Sequence, residues 1–309
     1  MERSTAQRAT SVDVARCAGV SQSTVSLVFS GKGTGRVSEA TQERVRRCSA
    51  TARDATNPFF NRVLRGAQRS AQAAGYTVAL IDTANDRLWE AQSFEALRAG
   101  PVDGYLLFEV QMPEALGPNQ HVVLMETESG RCPSVRFDVE GGASAAFTHL
   151  LELGHRRIGH LAAAFDAPTF HLREDARRRV LAEAGLDPAE QPRAETPIDI
   201  DAARDAGLVL LAEGPTAVFC DDDVIAAGLY LAAREAGLRI PADLSVVGFD
   251  DMDFARVLGP PLTTVALDAE LMGASAFELL EQRMAGTGGR KKVVLPAELL
   301  VRESTAPPG

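Results

Sequence analysis

Cysteine is sparse in this chain of 309 residues. The four, Cys17, Cys48, Cys132 and Cys220, are widely separated and form no C-x-x-C pair. Neither a disulfide framework nor a zinc site is expected, and a reducing compartment fits. No apolar run approaches the roughly 18–20 residues that a membrane span requires. The first twenty residues are broken by Arg3, Arg8, Asp13 and Arg16 and lack the core of a signal peptide, so a cytoplasmic location is expected. Also missing are a glycine-rich phosphate loop, a nucleophile elbow and His/Cys sets at metal-ligand spacing. An enzyme is therefore not expected, and neither is a cofactor or a resident metal.

What is present fits a soluble globular protein: 45% of residues are hydrophobic and 24% charged. The length exceeds that of one average domain. The net charge of −10 argues against a nucleic-acid partner until its distribution is considered. Residues 1–50 carry eight Lys/Arg against four Asp/Glu, a balance of +4, which leaves −14 for the remainder. A basic head on an acidic body suits a DNA-binding module joined to a domain with another task.

Residues 10–31 read TSVDVARCAGVSQSTVSLVFSG. Ser11 can cap a short helix with Val12, Val14, Ala15 and Ala18 on its apolar face. Gly19 stands where a helix end needs a left-handed residue, and Ser21 can cap a second helix that buries Val25, Val28 and Phe29. Gln22, Ser23 and Ser26 then lie on the opposite face, short and polar enough for phosphates and base edges in a major groove. A third helix is predicted from about Glu39 to Arg47, capped by Ser38. Helix–Gly–helix spacing alone fits a partnerless three-helix bundle equally well. The strings DVARCAGVSQSTVSLVFSG and RVSEATQERV, however, closely resemble the DNA-binding head of the LacI/GalR family. That resemblance implies base reading by Gln22 and Ser23, and phosphate contacts by Thr10, Ser21, Thr24, Ser26, Ser38 and Thr41. Leu27 stands where many members have an arginine able to pair with guanine. Ser30 replaces the usual asparagine, so no base preference carries over.

From residue 57 apolar runs alternate with amphipathic stretches. Strands are predicted at 77–81, 104–108, 122–125, 158–163, 217–220 and 244–249. Helices are predicted near 58–74, 88–99, 141–153, 173–185, 201–213, 224–236 and 270–285, with Gly75, Gly154, Gly185 and Gly237 as left-handed C-caps. Such alternation implies parallel, doubly wound sheets, and two lobes fit about 250 residues better than one. The strings TNPFF, VDGYLLF, HLLELGHRRIGHLA, AVFCDDDVIAAG, RIPADLSVVGFDD, PPLTTV and PAELLVREST resemble, in order, the family's sensor domain, which is similar to periplasmic sugar-binding proteins. The expected fold is thus an all-α three-helix helix-turn-helix head (residues 1–50) followed by an α/β two-lobed periplasmic-binding-protein-like domain (51–309). By the resemblance, lobe 1 takes about 52–138 and 268–285, and lobe 2 about 139–267 and 286–305.

Ligands of open α/β sheets bind at the carboxyl ends of strands. The residues expected there are Phe59 and Phe60 opening one helix, Arg173 opening another, Asp222 and Asp223 after 217–220, and Asp250 after 244–249. Arg173 and Asp250 match the family's recurrent effector-binding arginine and aspartate, and Phe60 and Phe219 match positions that can line a ring. Asp222 departs from the family's usual asparagine. Each residue also has a plainer use. Phe59 fits core packing, Asp222 and Asp223 fit helix capping, and residues 221–223 could also hold a cation. His149, His155 and His160 read as helix-end and strand residues, and Arg177 to Arg179 as a solvated helix face. Arg131 and Cys132 carry no signal.

The junction departs further. Members normally have a GYxPN stretch, an ARxL-type hinge helix and a first β-strand before the NPFF region. Here RVRRCSATARDATNPFF runs directly across, shorter by roughly two to three dozen residues. Residues 48–52 can be a remnant of that strand or the end of the third helix, hardly both. Hinge helices of this family wedge an apolar side chain into the minor groove and kink DNA, and no equivalent segment is found. Two functions stay open. One is an effector-responsive repressor, a homodimer on a pseudo-palindromic double-stranded DNA operator, sensing a sugar or similar polar metabolite. The other is a small-molecule binding protein whose operator grip is impaired by the missing hinge.

Overall fold

The computed structural model describes residues 47–52, 57–82, 102–109 and 120–309. The expected helix-turn-helix residues Thr10, Ser21, Gln22, Ser23, Thr24, Ser26, Leu27, Ser38 and Thr41, and the helix expected at 88–99, lie outside them. The described residues form two compact units. Unit 1 runs to Val135 and takes in Ala269–Val293; unit 2 comprises Arg136–Asp268 and Val294–Gly309.

Unit 1 contains β1 (Arg47–Ala52), α1 (Pro58–Ala73), β2 (Thr77–Asp82), β3 (Gly104–Phe108), β4 (Val122–Met125) and β5 (Ser134–Phe137), the last running across the boundary. Its sheet is ordered β11-β5-β4-β3-β1-β2, where β11 is Lys292–Leu295. Residues 48–52 are therefore strand and not the end of a helix, and the strand begins at Arg47, inside the span expected to be head. β1 pairs in parallel with β2 on one side and β3 on the other, Cys48 opposite both Val78 and Gly104. Every residue of β3 and β4 is buried, as a parallel sheet covered on both faces requires. The helix α6 (Ala269–Met284) closes on α1 through glycine. A methyl group on Gly66 would sit 1.9 Å from the Glu270 carbonyl oxygen, and one on Gly273 1.9 Å from that of Val63.

Unit 2 contains α2 (Val139–Glu152), β6 (Ile158–Ala163), α3 (Pro168–Glu183), β7 (Arg193–Thr196), α4 (Ile200–Leu211), β8 (Ala217–Cys220), α5 (Asp223–Glu235), β9 (Ser245–Asp250), β10 (Thr263–Leu267) and β12 (Ala297–Leu300). The sheet order is β12-β10-β9-β8-β6-β7, parallel except for the antiparallel β10–β12 pair. Leu161, Val218, Ile225, Leu229, Val246 and Leu262 form the core on one face. On the other, Phe219 packs between Phe147 and Phe249, with ring centroids 4.7 and 6.1 Å away. The four glycines expected as helix stops have φ between 72° and 102°.

Both sheets start in the middle. From β6 the chain goes to β7 at one edge, then returns to β8 on the other side of β6; β1, β2 and β3 repeat that order in unit 1. The reversal leaves a crevice at the carboxyl ends of the two central strands, where doubly wound folds hold ligands. In unit 2 this is where β6 and β8 end, at Ala163 and Cys220.

Candidate functional site

Unit 2 gathers the charged candidates at that crevice. Residues 221–223 leave β8 and enter α5, and their side chains diverge. Asp221 turns back toward β6, accepting from the Ala163 amide at 2.9 Å and lying 3.0 Å from His160 Nε2. Asp222 caps α5, accepting from the Val224 amide at 2.6 Å. Asp223 reaches across β9, accepting from the Met252 amide and from Thr264 Oγ1, each at 2.7 Å. Gly248 makes that reach feasible, because a Cβ there would stand 2.2 Å from Asp223 Oδ1. Three consecutive aspartates thus have three jobs, and among the described residues no group of three His, Cys, Asp or Glu converges as a metal site.

Arg173 does not open its helix. α3 starts five residues earlier, with Pro168 at its first position, where a missing N–H costs nothing. This places Arg173 in the second turn, 4% exposed. Its guanidinium lies over the Phe249 ring at 3.7 Å and 4.9 Å from that of Phe170. It donates to the Asp221 carbonyl and, at 3.3 Å, to Thr169 Oγ1, and Nη2 stands 4.0 Å from Asp250 Oδ1. Asp250 closes β9 at a φ of 103°, a strained value for a residue with a side chain. Its neighbour Asp251 is held by Arg302 at 2.6 Å. Arg173, Asp222 and Asp250 are all buried. Burial, then the charge of Asp250, push the Asp222 carboxyl well above the usual range. That shift favours the protonated form of Asp222, which can donate as well as accept, much as an asparagine does.

Phe219 is a core residue and not a lining one: its ring is fully buried and faces α2. Phe59 and Phe60 belong to unit 1. Both open α1 after the Asn57 cap, whose Oδ1 accepts from the Phe59 amide at 2.8 Å. Both pack on Phe108 at the end of β3, with centroids 6.2 and 5.4 Å away. Of the expected solvated arginine face, Arg178 and Arg179 conform, but Arg177 is 4% exposed and grips Glu174 at 2.7 and 2.9 Å.

Sequence reasoning missed Asp221 and His160 as one buried pair. The available signal was a histidine inside an all-apolar strand, which needs a polar partner. The β6–β8 register sets His160 opposite Phe219, two residues before Asp221.

Comparison with known proteins identifies what this arrangement is built on. Residues 11–50 match the family model described as bacterial regulatory proteins, lacI family, and residues 147–305 that of a periplasmic binding protein-like domain. The HTH-type transcriptional repressor PurR of Vibrio atlanticus (strain LGP32) is 33% identical over 330 aligned positions, spanning 96% of this chain and 98% of the relative. The chain belongs to the LacI family. The HTH-type transcriptional regulator DegA of Bacillus subtilis (strain 168) is 31% identical, spanning 97% of this chain and 99% of its own. Among solved structures, a transcriptional regulator CelR–cellobiose complex is 27% identical with a TM-score of 0.76, covering 96% of this chain and all of that one. A LacI family regulator from Enterococcus faecium with bound ribose is 25% identical with a TM-score of 0.78, covering 85% and 99%. The PurR alignment is longer than this chain, so it opens gaps in it. No helix among the described residues is long and apolar enough to cross a membrane.

Proposed function

We propose that this LacI-family chain is an effector-responsive, DNA-binding transcription repressor. Its effector is a sugar or similar small polar metabolite, bound by Arg173, Asp222 and Asp250. The observation that carries the reading is the convergence of these three buried side chains at the reversal point of the unit 2 sheet. A fixed guanidinium and two carboxyls supply the directional hydrogen bonds that vicinal hydroxyls require. The cellobiose and ribose in the two solved relatives support a carbohydrate. Within unit 1, Phe59 and Phe60 are the aromatic candidates for packing on a ring. A head that ends before β1 begins at Arg47 reads operator bases with Gln22 and Ser23 beside Leu27, and grips phosphates with Thr10, Ser21, Thr24, Ser26, Ser38 and Thr41. The protein acts as a cytoplasmic homodimer and catalyses nothing.

The test is a thermal-shift series with ribose, cellobiose, adenosine and guanine, paired with operator binding to DNA from its own gene neighbourhood. At least one probe raises Tm in the wild type, and Arg173→Ala and Asp250→Ala abolish that rise. A rise retained in both variants moves the pocket elsewhere. Saturable DNA binding with a steep salt slope supports the repressor; only weak, unselective binding overturns it in favour of a binding protein.

A further inference from the structure

His160 has no place in the reading above, yet its surroundings are specific. It is the third residue of β6, 1% exposed, with its ring beside those of Phe147 and Phe219. Both ring nitrogens face carboxylates. Nε2 lies 3.0 Å from Asp221 Oδ1, and Nδ1 lies 3.4 Å from Glu174 Oε2. A neutral imidazole has one N–H and one lone pair. In that state one of the two carboxylates would face a lone pair inside the protein, whereas an imidazolium presents N–H to both. The Nδ1 contact lacks hydrogen-bond alignment.

The ring also bridges the two elements that place Arg173. Asp221 supplies the carbonyl that accepts from Arg173, and Glu174 follows Arg173 on α3. Glu174 is fixed in turn by Arg177 and by Arg178 at 2.6 Å, with Arg193 of β7 at 3.9 Å. We propose that His160 is a positioning residue for Arg173, an imidazolium that ties α3 to the end of β8 and so holds the guanidinium in its effector-binding pose. The significance of that pose rests on the reading of Arg173 given above.

The groups facing the ring are Asp221 just past β8, Glu174 and Arg177 from α3, and the uncharged Phe147 from α2 and Phe219 from β8, with Arg193 of β7 opposite His160 in the sheet. Burial opposes the charge, but Asp221 and Glu174 outweigh it and raise the ring's pKa against the repulsion of Arg177. The resulting stabilisation is fully present below the ordinary histidine pKa and is lost as pH rises through the raised, folded value. His160, Glu174 and Asp221 also line a cavity of about 510 Å³.

Nitrogen-resolved NMR of the full chain tests this without an effector, so its outcome is separate from that of the thermal-shift series. The His160 ring, assigned by His160→Gln, shows both nitrogens protonated at pH 7.5, where an ordinary histidine is largely neutral. The Arg173 Nε–H signal, assigned by Arg173→Lys, titrates with the same midpoint in the wild type. Glutamine keeps one donor to Asp221 but no charge. In His160→Gln the Arg173 signal is flat with pH and exchanges with water about tenfold faster, equivalent to one pKa unit of lost interaction. Glu174→Gln leaves the ring in place and lowers its midpoint, which serves if the first variant does not fold. A neutral ring at pH 7.5, or an Arg173 signal indifferent to loss of the ring, overturns the proposal.

Discussion

Unit 1 and unit 2 share one strand order and put opposite chemistry at its reversal point. In unit 1 the ends of the strands meet hydrocarbon: Phe60 packs edge to face on Phe108 and Phe59 lies tilted against the same ring, all less than a tenth exposed. In unit 2 the corresponding place holds Asp221, Asp222, Asp250 and Arg173, equally buried. The topology provides a crevice, and the residues at its mouth decide whether it offers a flat face or aimed hydrogen bonds. The two solutions are stabilised differently. The aromatic one depends on removal of area from water, and any side chain of suitable shape serves. The charged one holds only while each ion keeps its partners.

That contrast makes Asp221 the most sensitive position. Asp221→Ala leaves His160 facing Glu174 alone and orphans the Ala163 amide. Its expected cost is about 3–5 kcal/mol, that of breaking a buried ion pair. Asp221→Asn, which keeps the shape, is expected to lose about 2 kcal/mol, because a charge-assisted bond is removed. Urea unfolding measures both. A loss below about 1 kcal/mol for the alanine variant would mean that water solvates the cluster.

Phe60 is the matching position in unit 1. Phe60→Ala should cost about 3 kcal/mol, the low end for a buried phenylalanine. Phe60→Leu should cost less than about 1.5 kcal/mol, since volume is nearly kept. The comparison fails if the shape-conserving change is worse in unit 1 than in unit 2.

How far these differences were legible in sequence depends on the residue. Strands β3, β4, β6 and β8 announce themselves as short apolar runs because both faces are covered. β7 (RAET), β11 (KVVL) and β12 (AELL) are half exposed and carry no such run, so sequence did not place them. The start of α3 was missed because Ala167 offers no capping side chain. Arg173 and Asp250 were expected from motif resemblance and Asp222 from its place after a strand; their burial and mutual approach were not foreseen. Residues 221–223 look identical in sequence, and only the turn from strand to helix sends one to β6, one to the cap and one across β9.

Asp223 offers a test by pH. Burial pushes its carboxyl up to about 8, with Asp250 and Asp251 adding to the rise, while Thr264 and the Met252 amide oppose it. A raised acid pKa means that the folded state binds the proton more tightly than the unfolded one. Stability therefore falls as pH climbs from the ordinary carboxylate range to about 8. Asp223→Asn keeps an acceptor for Met252 and cannot ionise. Its advantage over the wild type should therefore grow from pH 5 to pH 8, by up to about 1.4 kcal/mol for each pH unit, and level off above. An unchanged pH profile would show that the carboxyl is already ionised at neutral pH.

The smallest effect belongs to the exposed charges of unit 1. Arg69 and Arg65 both reach Glu270 across the α1–α6 crossing, Arg65 at 3.5 Å, but their side chains are 67% and 60% exposed. Water and salt screen such pairs, and ordering two long side chains costs entropy. The crossing itself is set by Gly66 and Gly273, which let each helix backbone approach the other's carbonyl. Arg69→Ala should therefore cost about 0.5 kcal/mol in dilute buffer and nothing measurable in molar salt. A loss of 2 kcal/mol or more that persists in salt would show that charge, and not close backbone approach, holds this crossing. The contrast between an apolar unit 1 and a charged unit 2 would then be confined to the strand ends.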